Sequence, residues 1–591
     1  MSHTLLEQTL NSEAAKTALE LAAKAKEHPI GVALGTLGLL GAHAFFKSIK
    51  NSRAFNNIDG PESPSFLRGH VPQVFDTVHG EKLQADLLKN YGTMCRLKGL
   101  LGVRYLKSLD VDFRLQLTTI PQEDQLWTAD PRAMHEIVIK EVDSFRLSDN
   151  FLSWIKVTTG ENLITVHGQK HKLQRKLLNP VFTPNHMRDL VPTFGGIANH
   201  LEDIFMNKVQ QGGGASAMVD IFKWLNYGAF EMIGQAGMGH SFDIMEGKES
   251  SYLKAADRFF PITFELWYIR PLLPRLMKIG SKSFRRFVVD HTPLPAVKEL
   301  REIARVLDDV AVDIYNRKKE AAANGTLDAQ VAAGKDIMTS LLRQNELMPP
   351  GEQMSEEDLI GQVNGFVFAG SDTTSSALAR TIHLLALHPD VQDTLRAEVS
   401  EAFKLYGSDL DYGQLNSLTY LDAVCREMLR LHPPVLFVER IAQKNCVLPL
   451  QYPVKARDGK TMITEVPIKK GTNIYVSIIA ANRDKQTWGE DADEFKPSRW
   501  LQELPSAVQE SKIPGVYANI MTFSGGPRSC IGFRFTQLEM KVVLTKLINA
   551  FRFDLGEQQI CWSTDGVSKP YVRHADGTHG SHGMPMKISM V

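Results

Sequence analysis

Apolar residues recur at the spacing of one helix face over residues 186–209, 219–236, 296–322, 356–387 and 390–405, a periodicity that predicts a chain dominated by helices. Strand-like runs are shorter and fall in two places, residues 93–109 and 462–479. The pattern is α+β, mainly α with small β-sheets, rather than a βαβ series. No Gly-x-Gly-x-x-Gly follows a strand and opens a helix, and the three glycines at 212–214 read as a loop between helical stretches. Residues 318–335 read as a solvated connection. The longest helix starts behind Ser355, an N-cap with Asp358 three residues on in the manner of a capping box, and runs until Pro389 blocks it. About 32 residues would make it roughly 48 Å long, enough to cross a domain.

Composition narrows this picture. The 591 residues, 43% hydrophobic, contain no internal repeat and no long Pro, Gly or Ser linker after residue 65, which fits one large catalytic domain. Lys plus Arg and Asp plus Glu both number 67, so no overall field attracts nucleic acid or an acidic partner. The five cysteines, Cys95, Cys425, Cys446, Cys530 and Cys561, show no zinc spacing and fit a reducing compartment. Residues 29–46 carry no Asp, Glu, Lys or Arg and as a helix would span about 27 Å, close to a bilayer's hydrocarbon thickness. They start too late for a secretory signal and read as a single membrane span, with an interfacial helix as the alternative. Lys47, Lys50 and Arg53 follow without acidic neighbours, whereas Lys16, Lys24 and Lys26 are interleaved with Glu13, Glu20 and Glu27, which puts the catalytic domain on the cytosolic side. The expected division is a polar, amphipathic leader at 1–28, the anchor at 29–46, a Pro/Gly connector at 47–70 and the catalytic domain at 71–591.

Three constellations carry chemistry. Within the long helix stands AGSDTT, residues 369–374, where Gly370 weakens the helix and a threonine hydroxyl can bond the carbonyl one turn back. Together these predict a local widening able to hold water, against the plainer reading of a satisfied polar stripe. In EMLRLHPP, residues 427–434, Glu427 and Arg430 share one face of a short helix ended by Pro433 and Pro434. Apolar Val424, Met428, Leu429 and Leu431 leave this pair little solvent, so it needs a further partner, for which Arg499 in FKPSRW is the candidate. In FSGGPRSCIGFRF, residues 523–535, Gly525, Gly526 and Pro527 enforce a tight turn, Gly532 permits a close backbone approach and a helix follows. Cys530 thus lies at a helix N-terminus, which favours a thiolate. A nucleophilic cysteine would need a histidine base. A haem iron can use a single thiolate as axial ligand, with Arg528 placed to meet a propionate.

In chain order these motifs resemble a cytochrome P450. The loop matches the family pattern Phe-x-x-Gly-x-Arg-x-Cys-x-Gly at Phe523, Gly526, Arg528, Cys530 and Gly532, and the likeness extends over roughly residues 60–560, with a leader like that of microsomal, fungal-type members. The resemblance implies the cytochrome P450 fold with an N-terminal membrane anchor, and haem b with Cys530 as the iron's axial ligand. Phe523 would shield the sulfur, and Gly526 and Gly532 would let the loop approach the porphyrin. Asp372 and Thr373 match the acid and alcohol pair that delivers protons in the family, Ala369 and Gly370 would lie over the haem face, and Glu427, Arg430 and Arg499 match a structural ion-pair triad. Where the family often has Trp this chain has His171, four residues before Arg175 on the same helix face, and both could bond a propionate. Lys170, Lys172 and Lys176 form either a basic patch that steers an acidic reductase or a merely solvated face.

The function so implied is a monooxygenase anchored by a single pass in the endoplasmic reticulum membrane, drawing electrons from NADPH through NADPH–cytochrome P450 reductase, since no flavin domain follows Cys530. It would oxidise a lipophilic small molecule in fungal specialised metabolism, a terpenoid being one candidate. Residues 435–438 and 148–166 are expected to line the pocket. The rivals are an isomerase or dehydratase of the same fold that needs no reductase, and a haem-binding sensor without turnover.

Overall fold

The five periodic stretches fold as helices close to their expected bounds. The computed structural model describes residues 55–65, 68–99, 124–266, 269, 272–329, 331–574 and 576–591. The leader at 1–28, the anchor at 29–46 and the larger part of the strand-like run at 93–109 lie outside the described residues. Among the described residues no helix is long and apolar enough to cross a membrane. The helices that shape the site are Gly80–Tyr91 (α1), Asp149–Thr159 (α2), Gly168–Leu178 (α3), Pro184–Gln211 (α4), Ile221–Met232 (α5), Ser251–Glu265 (α6), Pro295–Ala323 (α7), Glu356–Leu387 (α8), Pro389–Tyr406 (α9), Thr419–Leu431 (α10) and Phe533–Ala550 (α11).

The strands are Met94–Lys98 (β1), Asp124–Thr128 (β2), Phe145–Leu147 (β3), Ser216–Asp220 (β4), Phe437–Ala442 (β5), Cys446–Lys455 (β6), Met462–Ile468 (β7), Asn473–Ser477 (β8), Phe551–Leu555 (β9), Ile560–Asp565 (β10), Val567–Arg573 (β11), His579–His582 (β12) and Pro585–Met590 (β13). They form sheets ordered β1-β2-β8-β5-β3, β10-β11-β12 and β4-β13-β9, and the pair β6-β7. Strand structure therefore reaches beyond the two expected places. The C-terminal strands escaped the pattern because residues 560–590 are broken by Gly, Pro and His, which blur the alternation of a half-buried strand. Residues 55–57, 61–65, 68–71, 96–99 and 124–125 belong to a small unit of their own, in which Lys98 pairs with Asp124 and its backbone N–H donates to His70 Nδ1 at 2.9 Å. The other described residues form the main unit.

Helix α8 is the axis of the main unit, with α5, α7, α10 and α11 packed against it. Ser355 Oγ accepts from the Asp358 N–H at 3.2 Å, the forward half of the expected box, and Glu356, Glu357 and Asp358 place negative charge on the first turn. The helix stops at His388, ahead of Pro389. Two expectations are corrected here. Thr373 Oγ1 does donate to the Ala369 carbonyl at 2.8 Å, yet α8 stays α-helical throughout; the widened turn belongs to the segment continuing α5, Ile233–Met238, which is a π-helix packed against α8. Nor is 318–335 a solvated link over its whole length, because Lys318 is buried and pairs with buried Asp336 at 2.8 Å.

Candidate active site

The cysteine loop is shaped by its backbone. Met521–Phe523 forms a 3-10 turn, and Ser524 and Gly526 follow with φ of 55° and 66°. Gly526 is required by sterics, since a Cβ there would lie 2.2 Å from the Val138 carbonyl oxygen. A Cβ on Gly532 would meet no protein atom within 4 Å. The Cys530 N–H donates to the Phe523 carbonyl at 2.9 Å, which closes the loop, and Gly532 caps α11. Phe523 is buried beneath the loop, 6.2 Å from the Phe533 ring.

Cys530 is accessible to a water-sized probe, yet many protein atoms surround it. That burial pushes its thiol up, outweighing the Gly532 N–H and the Arg175 charge, which pull it down. The helix N-terminus alone predicts the opposite direction; in the protein without a bound cation, desolvation wins.

Around the loop gathers a set of cations. Arg175, on α3, donates to the Ser529 carbonyl at 2.7 Å and to Asn179 Oδ1 at 2.9 Å. Arg528 donates to the Val166 carbonyl at 2.7 Å and lies 3.1 Å from His167 Nδ1. Arg440, on β5, is 3% exposed and donates only to the Glu439 carbonyl, at 3.3 Å. No carboxylate forms an ion pair with any of these three arginines among the described residues. Burial first, then the charge of Arg528, pulls Arg440 down to about 10 and His171 and His167 down to about 4; burial likewise pulls Arg528 down to about 10 against the opposing charge of Asp143, and the His167 Nε2 is buried without a partner among the described residues. Arg440 and His167 were missed by the sequence reading. The signal for Arg440 was an arginine that, with Glu439, interrupts a short strand apolar at its other four positions. A cluster this cationic and this buried fits a ligand bearing more than one carboxylate, and haem carries two propionates.

The hexamer of α8 comes near the same loop, because Thr374 Oγ1 lies 3.5 Å from Thr536 Oγ1 on α11. Gly370 is accounted for by packing, as a Cβ there would lie 2.9 Å from Ile233 Cγ1, while Ala369 is half-buried beside it. Asp372 is not free: its Oδ2 lies 2.9 Å from Lys569 Nζ. Behind Thr374, fully buried Glu539 is pushed well above the usual carboxylate range by desolvation, against a hydrogen bond from Thr374.

The triad on the other side of the loop assembles as its spacing suggested. Glu427 pairs with Arg430 at 2.8 Å and with Arg499 at 3.3 Å, and the three are buried. Of the two readings of the lysines, the solvated face is the one that fits: Lys170 pairs with Asp358 at 2.7 Å, Lys172 with Asp143 at 3.7 Å and Lys176 with Glu352 at 3.1 Å.

Of the expected pocket stretches, Leu436 is buried and Phe437 joins Phe75 and Tyr475 in an aromatic cluster with ring centroids 5.7 and 5.6 Å away. In α2, Leu152, Trp154 and Ile155 are buried.

This loop, helix and cation set suit a haem-thiolate type of site, the class to which comparison with known proteins also leads. The family model described as Cytochrome P450 matches residues 118–573, and the chain belongs to that family. It is 40% identical over 539 residues to cytochrome P450 monooxygenase 91 of Postia placenta, covering 91% of this chain and 94% of that one. It is 40% identical over 524 residues to the ganoderic acid synthetase CYP5150L8 of Ganoderma lucidum, covering 87% and 91%. A P450 monooxygenase of Hericium erinaceus is 31% identical over 545 residues, covering 90% and 93%. The protein is a fungal-type cytochrome P450 monooxygenase, a family whose haem iron is bound through a cysteine thiolate.

Proposed function

We propose that the protein holds haem b beside Cys530, with Cys530 as the axial thiolate and Arg175, Arg440, Arg528 and His171 on the propionates, and that the enzyme oxygenates a lipophilic small molecule. The carrying observation is the cation set, Arg440 and His171 buried and Arg175 and Arg528 half-buried, whose arginines have no carboxylate ion-pair partner among the described residues. Haem bound there would supply a thiolate-supported iron at which dioxygen is activated. The chain's own part is to hold that site dry and polarised. Phe523 covers the sulfur, the Gly532 N–H favours its anion, and Asp372 and Thr373 hold a carboxylate and a hydroxyl on α8 for proton transfer toward the reacting face. Apolar residues about 148–166 and 435–438 suit a lipophilic substrate, and the name of the Ganoderma relative supports a natural product, for which a terpenoid is the class we favour. Arg440→Leu is expected to keep the fold and to speed haem loss to a scavenger protein about tenfold, the weight of one charge-assisted contact.

The electrons would come from NADPH through NADPH–cytochrome P450 reductase, with the chain held on the endoplasmic reticulum membrane by residues 29–46 and the domain 71–591 in the cytosol. A second membrane contact is supported by exposed Leu276, Ile279, Phe284, Phe287 and Val288, interleaved with Arg275, Lys278, Arg285 and Arg286. Exchanging Phe284 and Phe287 for Asp should weaken partition of the detergent-purified protein into phosphatidylserine vesicles about tenfold, read by flotation.

The decisive test is spectroscopic. Reduced protein under carbon monoxide should show the far-shifted Soret band of thiolate coordination, and NADPH oxidation in membranes reconstituted with reductase should rise with candidate terpenoids. Absence of the band would overturn the haem-thiolate assignment. The band without any NADPH-driven turnover would favour a reductase-independent enzyme or a sensor.

A further inference from the structure

Lys569 is an unusual residue to bury. It lies on β11, its side chain is 5% exposed, and its Nζ stands 2.9 Å from Asp372 Oδ2 and 2.9 Å from Asp257 Oδ1. Asp372 is 13% exposed on α8, whereas Asp257 is 54% exposed on α6, so the ammonium bridges one carboxylate inside the protein and one at its surface. The strand that carries it is fixed on both sides. The Ser568 carbonyl accepts from Ser376 on α8, and the Ser568 N–H donates to the Pro434 carbonyl at 2.8 Å, directly before the pocket stretch 435–438.

We propose that Lys569 is the positioning residue for Asp372, holding its carboxylate in place from the C-terminal hairpin, with Asp257 as the solvent-side end of the same cluster. The inference rests on the proton-transfer role proposed above for Asp372 and Thr373. A mere structural pair would serve anywhere on these elements; this one ends on the carboxylate of the α8 hexamer.

The charges around the pair are few. Burial alone would pull Lys569 down, but Asp372 and then Asp257 outweigh it and hold the ammonium above the ordinary lysine range. The remaining titratable group near Asp372 is Tyr252 on α6, whose phenol burial and then Asp372 push far up; it stays neutral and donates to Asn364 Oδ1 at 3.1 Å. Without Lys569, then, the Asp372 carboxylate would face the Tyr252 phenol with its one close countercharge among the described residues removed.

The test uses the haem-loaded, full-length protein with reductase and no added substrate, reading NADPH consumption and peroxide release against pH. Lys569→Met should change this pH profile and raise the share of NADPH lost as peroxide, whereas Lys569→Arg, which keeps a cation against Asp372, should leave both as in wild type. Thermal unfolding gives a readout independent of turnover: Lys569→Met and Asp372→Asn should be strongly non-additive, the double variant being more stable than Lys569→Met alone. Should Lys569→Met not accumulate, the double variant, which leaves no unpaired buried charge, is expected to accumulate, and its failure would overturn the inference. An unchanged pH profile in Lys569→Met with additive unfolding shifts would overturn it too. The carbon monoxide band recorded in the same samples separates the two readings: if it is present, such a result sinks the Lys569 inference alone; if wild type lacks it, the haem-thiolate reading falls first.

Discussion

Cys530→Ala is expected to fold and to lose the thiolate band completely, with NADPH-driven turnover down more than about 100-fold, the scale of loss when one member of an interdependent site is removed. The expectation of intact folding comes from how the loop is held. Its closure is a backbone bond from the residue 530 N–H to the Phe523 carbonyl, its bend is set by Gly526 against Val138, and its flank is tied by Arg175 to the Ser529 carbonyl. None of these involves sulfur. The side chain is accessible rather than packed, so its removal opens no sealed core cavity, and thermal stability of the haem-free chain should change by less than about 1 kcal/mol. The thiol itself is costly to ionise where it stands, because burial pushes it up. A cation at the sulfur would reverse that balance, and alanine offers nothing to bind it. Difference spectra under carbon monoxide check the outcome. Retention of the band by the variant would remove Cys530 from the role proposed for it.

The parts of this site that were legible in the sequence are those whose partners lie close along the chain. The Gly526 turn, the Cys530 position before a helix, the Glu427–Arg430 spacing and the Thr373 back-bond depend on one or two turns of local geometry. Arg440, His167 and Lys569 could not be read that way. Each is an isolated polar residue within an apolar or irregular stretch, and each acquires meaning only when β5, α3 or β11 is brought against a distant segment. The expected widening of α8 failed for a related reason. A glycine and a threonine lower the intrinsic stability of that turn, but Gly370 is packed against Ile233, and it is the neighbouring helix that yields. The lysines of α3 read as a basic face because their counter-charges, Asp143, Glu352 and Asp358, sit on other elements. Helix existence was fixed by periodicity, while charge balance was fixed by tertiary contact.

Glu427→Ala should leave little folded protein, because the Glu427 carboxylate is the acceptor for five donors at once. Arg430 Nε and Nη2 reach it at 2.9 and 2.8 Å, Arg499 Nε at 3.3 Å, Trp500 Nε1 at 2.9 Å and the Lys496 N–H at 3.2 Å. Truncation strands Arg430, which has no other carboxylate, in a fully buried position. Breaking such a pair from one side costs about 3–5 kcal/mol, a large share of the roughly 5–15 kcal/mol that holds a domain folded. Arg499 is less exposed to the loss, since Asp491 also pairs with it at 2.8 Å and is held down to about 2 by that contact and by Lys496. The damage should reach the cysteine loop by a short path. Arg430 Nη1 donates to the Asn482 carbonyl at 2.8 Å, Asn482 Oδ1 accepts from the Met521 N–H at 2.8 Å, and Thr522 donates to the Leu429 carbonyl at 2.6 Å. Haem retention and folding should therefore fail together. Removing both charges, as Glu427→Leu with Arg430→Leu, should recover part of the loss, because it is the uncompensated guanidinium and not the absence of a salt bridge that is expensive. Urea unfolding of the variants checks this. A Glu427→Ala protein within about 1 kcal/mol of wild type and fully loaded with haem would show that the triad does not support the loop.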